Sequence, residues 1–103
     1  MRLTATLVSL IFVTIIAGLT RAADVQQGET LAKRWCQSCH LISNEQRSAS
    51  TQVPPFSEVA KTENFDAAKL ALFLLAPHPR MPDMNLTRAE AADLAAFIAE
   101  QKK

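Results

Sequence analysis

The side chains with the widest chemical reach lie together in the stretch RWCQSCHLIS: Cys36, Cys39 and, directly after, His40. They are the chain's only cysteines and one of its two histidines. Four chemistries use such a cluster. A dithiol redox pair sits in a βαβ setting, and no strand pattern surrounds this one. A zinc site needs four ligands at suitable spacing, and the only other histidine, His78, does not complete one. A disulfide between residues three apart closes a very small loop and leaves His40 without a role. Cys-x-x-Cys-His is the attachment motif for c-type haem, and it uses all three residues.

The spacing suits that chemistry. Two thiols add to the two vinyl groups on neighbouring pyrroles, and one helical turn brings both sulfurs to one ring edge. The residue after the second cysteine then hangs beneath the ring, so His40 can reach the iron. A second axial ligand must come from elsewhere. His78, Met81 and Met84 offer an imidazole and two thioethers, all within the stretch PHPRMPDMNL. Pro77, Pro79 and Pro82 keep that stretch extended and stiff, able to hold a side chain against a flat ring. Methionine also fills cores, a reading weakened for Met81 by the proline that follows it in a polar stretch.

Helices must position these residues, because no alternating strand pattern, internal repeat or low-complexity tract is present. ADVQQGETLAKRWC reads as a first helix, capped by Asp24, with Val25, Leu31, Ala32 and Trp35 near helical spacing. Gly28 inside it costs about 1 kcal/mol relative to alanine, a cost consistent with the close approach of another element. Residues 43–52 are polar and aperiodic, a surface loop. Pro54 and Pro55 set an extended backbone, and Phe56, Val59 and Ala60 make one apolar turn. A further helix begins near Asp66 and ends at Pro77, with Leu70, Phe73 and Leu74 on one face. The last helix starts with a capping box, Thr87 and Glu90. Its apolar face is Ala91, Leu94, Ala95 and Ile98 with Phe97 beside them; Asp93 and Glu100 are expected away from that face. Lys102 and Lys103 suit the negative end of its dipole.

The 103 residues are 49% hydrophobic and 20% charged, with two glycines and no tyrosine. This is one domain at most, with a helical bias. Residues 1–22 have the layout of a secretory signal: Arg2, an uncharged run from Ala5 to Leu19, then TRAA. Cleavage is expected after Ala22. The alternative is an uncleaved membrane anchor, but the apolar run is shorter than the roughly 20 residues of a spanning helix, which favours cleavage; no membrane span is expected in the mature chain, residues 23–103. That region keeps all ten Asp/Glu and loses only Arg2 and Arg21 from the eleven Lys/Arg, a balance of −1. No basic block points to nucleic acid. So small a chain gains from a bound group, and a buried macrocycle would serve as its core.

With these elements in order, the chain resembles the class I c-type cytochromes, specifically the small bacterial monohaem cytochromes c, from residue 24 to about 101. The resemblance rests on Gly28 eight residues before Cys36, then CQSCH, Pro54 with Phe56, Met81-Pro82, and the helix capped by Thr87 and Glu90. It implies an all-α small cytochrome c fold, three to four short helices around one covalently bound haem c. It also chooses between the methionines, since the family's ligand methionine precedes a proline some six residues before the helix cap. Met81 fits and Met84 does not, so His40 and Met81 would be the axial iron ligands, with Cys36 and Cys39 as thioethers. The acceptor for the other ring N–H of His40 would be the Pro54 carbonyl, and the first and last helices would cross at Gly28 near Phe97. Three features depart from the pattern: Ala32 replaces a common aromatic, Val53 replaces a glycine before the proline, and no tyrosine serves the propionates. Arg47, Lys61, Arg80 and Trp35 remain for that task.

Two filled axial positions leave no open iron, which suits one-electron transfer and not catalysis. The expected function is a periplasmic electron carrier with transient redox protein partners. The alternative is a dedicated electron-accepting cytochrome subunit of a periplasmic oxidoreductase such as a dehydrogenase. An enzyme or gas sensor would require that Met81 not ligate.

Overall fold

The computed structural model describes residues 21–50, 52–76 and 79–102. Nearly all of the expected signal (residues 1–20), Pro77 as a helix stop, the candidate ligand His78 and the terminal Lys103 lie outside the described residues. Within them the chain forms four helices: α1 (Val25–Trp35), α2 (Phe56–Ala60), α3 (Ala67–Leu75) and α4 (Arg88–Glu100). α4 packs against each of the other three. None of the described helices is long and apolar enough to cross a membrane.

Local chemistry sets the helix ends. The Asp24 carboxylate accepts from Gln27 N–H at 3.1 Å and starts α1. Asp66 does the same for α3, accepting from Ala68 and Lys69 N–H. Thr87 and Glu90 form both halves of a capping box on α4, each bond 3.1 Å. α3 stops at Leu75 because Ala76 is extended, φ −89° and ψ 141°. A residue ahead of a proline is pushed into that region, and residue 77 is proline.

Gly28 is where α1 meets α4. A Cβ there would overlap the backbone carbonyl of Asp93 and come within 2.8 Å of Phe97 Cβ. Only the absence of a side chain allows this approach. Leu31 and Ala32, three and four residues on, are buried on the same face of α1. They join Ala91, Leu94, Ala95, Phe97 and Ile98 of α4 in one apolar core.

One expectation is corrected. Asp93 does not lie away from the buried face; it is 3% exposed. The crossing at Gly28 brings the start of α1 over this part of α4, and Asp93 Oδ1 accepts from Asp24 N–H at 2.7 Å. Arg21 lies 3.8 Å from Oδ2. A hydrogen bond to a charged group contributes about 1.5–3 kcal/mol, which offsets the burial of the carboxylate.

Candidate functional site

α1 runs directly into the cysteine pair. Cys36 N–H and Gln37 N–H both donate to Ala32 O, and Cys39 and His40 N–H both donate to Cys36 O, the last at 2.8 Å. This turn keeps both sulfurs and the imidazole on one short piece of backbone. Cys36 is buried, Cys39 is exposed, and the two are not joined to each other. Burial pushes the Cys36 thiol up to about 11, with a further contribution from Cys39 beside it. A reactive dithiol needs the opposite, a thiol pulled down towards neutrality, so the redox-pair reading loses support.

His40 is held on two sides. Its Nδ1 lies 2.6 Å from the carbonyl oxygen of Pro54. A carbonyl only accepts, so Nδ1 carries the proton, and in the neutral ring Nε2 is the nitrogen with the lone pair. Its ring tilts against Phe56, centroids 5.4 Å apart. Phe56 in turn meets Phe97 edge-on at 6.3 Å, and Phe97 abuts Gly28. The glycine crossing is thus connected to the imidazole through two aromatic rings in edge-on contact. Phe56 N–H donates to Leu41 O at 2.9 Å, closing the loop that carries Pro54 back to the histidine.

A cavity of about 480 Å³ opens beside this turn, within the size range of cofactor pockets. One wall is Trp35, Cys36, Cys39 and His40; Val53, Pro54 and Phe56 continue it. Leu70, Phe73 and Leu74 of α3 and Ile98 of α4 supply apolar lining. Arg80, Met81, Pro82 and Met84 complete it from the segment between α3 and α4. Cys36, Cys39, His40, Pro54 and Met81, far apart in sequence, therefore line one space. Of the four residues available to the propionates, Trp35 and Arg80 line the cavity and Arg47 and Lys61 do not. Trp35 also carries the Arg34 guanidinium over its ring, 5.0 Å from the centroid.

The donor set fits a haem better than a bare ion. Among the described residues, no group of three or more His, Cys, Asp or Glu is placed to hold a metal ion. An apolar cavity bordered by two thiols, an imidazole and a thioether instead matches a flat macrocycle that brings its own four nitrogens. Met84 is 8% exposed and belongs to the core cluster, whereas Met81 packs against it from a half-buried position.

One residue escaped the sequence reading. Gln46, in the loop treated as polar and aperiodic, accepts from Ile42 N–H at 3.1 Å through Oε1. Its Nε2 donates to the carbonyls of Gln37 (2.8 Å), His40 (2.9 Å) and Ser48 (3.0 Å). No periodicity marks such a residue. A glutamine six residues after the motif histidine was the only available sign.

Fold and site together are those of a small helical haem protein. Residues 25–102 match the family model for cytochrome c, and the chain belongs to that family, as a class I c-type cytochrome of the small all-α fold. Over 77 residues it is 54% identical to cytochrome c-552 of Bradyrhizobium diazoefficiens, spanning 75% of this chain and 74% of that relative. No solved structure matches the chain significantly. The protein is an electron-carrier cytochrome, and its cofactor is covalently bound haem c with its iron.

Proposed function

We propose that this chain is an exported, periplasmic monohaem electron carrier in which His40 and Met81 are the axial ligands and Cys36 and Cys39 form the thioethers. The observation that carries the reading is the single cavity lined by all four, with His40 Nδ1 tied to Pro54 O at 2.6 Å. That bond fixes the tautomer, directs the Nε2 lone pair outwards as a donor and raises the ring's basicity. The haem supplies the one-electron Fe(III)/Fe(II) couple.

The chain's own residues do the rest. The turn from Cys36 to His40 holds two attachment points and one ligand in a single rigid unit. Leu70, Leu74, Phe56 and Ile98 exclude water from the space they line, which favours the less charged, reduced state. A Met81 thioether favours reduced iron as well and leaves no position for substrate, so the chain carries electrons without catalysing a reaction. Signal cleavage after Ala22 would leave residues 23–103 as the haem-binding domain.

Absorption of the oxidised protein tests the ligand set. The weak red charge-transfer band of methionine-bound ferric haem is expected in the parent and in Met84→Ala, and should vanish in Met81→Ala. High-spin iron without the band in the parent would sink the carrier reading in favour of an open-iron enzyme or sensor. Export is tested separately by the mass of the protein recovered from periplasm, which should begin at Ala23.

A further inference from the structure

Gln46 joins four points of backbone around the loop that separates His40 from Pro54. Nε2 has two hydrogens and three carbonyl acceptors within 3.0 Å, so at least one N–H is shared. The bond from Ile42 N–H settles which end of the amide is oxygen. Its contacts differ in character. Those to Gln37 and Ser48 are exposed, and water can replace them; those to His40 O and Ile42 N–H are partly buried. Removing the amide therefore falls hardest on the backbone either side of Leu41. Leu41 O in turn accepts the Phe56 N–H that closes the loop. Two residues before Phe56 stands Pro54, the acceptor of His40 Nδ1–H.

We infer that Gln46 is a positioning residue for the haem site: by holding the backbone of His40 and Ile42, between which Leu41 O receives the Phe56 N–H, it sets the length of the hydrogen bond from His40 Nδ1–H to the Pro54 carbonyl. The inference rests on the proposed ligation of iron by His40. A short bond here gives the imidazole more anionic character, which stabilises Fe(III) and lowers the potential. Loosening the clamp lengthens the bond and raises the potential. A purely structural glutamine would affect stability and leave the potential alone.

The test uses the holoprotein and two neutral variants. Gln46→Met keeps the length of the side chain and removes every amide contact; Gln46→Asn keeps an amide one methylene short and serves if the methionine variant fails to mature. Asp24→Ala, at the cap of α1 and away from the cavity lining, controls for lost stability. The measurements are the reduction potential and the hyperfine-shifted ring resonances of His40 in the oxidised protein. Both Gln46 variants should move the His40 ring N–H resonance and raise the reduced-to-oxidised ratio at fixed poise by roughly threefold, ~28 mV on a scale of ~59 mV per tenfold for one electron. Asp24→Ala should move neither. Unchanged potential and resonances in the Gln46 variants, with only a lower melting temperature, would overturn this inference and leave the ligand assignment standing. Absence of hyperfine-shifted His40 resonances from the parent would overturn that assignment, and this inference with it.

Discussion

His40 and Met81 line the same cavity, but different kinds of contact hold them there. The His40 side is braced over long sequence distances. Its ring bonds to a carbonyl fourteen residues away, leans on Phe56, and is connected through Phe97 to the α1–α4 crossing. The Met81 side is braced locally. Pro82 stiffens the backbone, and Asp83 accepts from Asn85 N–H at 3.1 Å, where Asn85 takes a left-handed φ of 48°. Thr87 anchors the end of the segment to α4, and Met84 plugs it into the core. Long-range contacts break only when the core opens, whereas local ones can yield without it. The Met81 segment should therefore open first, with the His40 side held until global unfolding.

Substitutions on the two sides probe that difference. Phe56→Ala removes the ring between His40 and Phe97 and should cost about 3–5 kcal/mol in denaturant unfolding, with the His40 ring resonances displaced. Met84→Ala should cost about 2–5 kcal/mol while keeping the red ferric band; if it costs clearly more than Phe56→Ala, the two sides are not braced as described. Thr87→Ala loses a helix cap worth about 1 kcal/mol, and amide exchange should quicken between Pro82 and Glu90 with the Cys36–His40 turn unaffected. Asp83→Ala touches one exposed bond. It should change global stability by about 0.5 kcal/mol or less, and its effect should appear only as faster exchange at Asn85. Spread of that effect to Ile42 or His40 would mean that the two sides are coupled.

The same division explains what could be read in advance. Asp24, Asp66 and the Thr87–Glu90 box act on backbone within three residues, so side-chain type and spacing reveal them directly. Cys36, Cys39 and His40 sit on one turn, and their chemistry follows from that spacing. Gly28 was legible as an anomaly, a glycine inside a helix, and the family resemblance supplied its partner, the last helix near Phe97. Asp93 and Gln46 were not legible. Periodicity scores apolar faces, and a carboxylate or amide that satisfies distant backbone groups counts there only as polar. Asp93 is buried because the start of α1 arrives above it. Gln46 gains its role because four backbone groups, the farthest of them nine residues away, converge on its amide.

By itself, then, the order of residues determined the helix boundaries, the proline-stiffened segment and the cysteine–histidine motif, because each depends on neighbours along the chain. Tertiary structure decided which polar side chains are buried, how the imidazole is oriented, and that Met81 shares a cavity with His40. Those outcomes depend on groups that only the crossing of α1 over α4 and the closure of the loop between His40 and Pro54 bring within hydrogen-bonding and van der Waals reach.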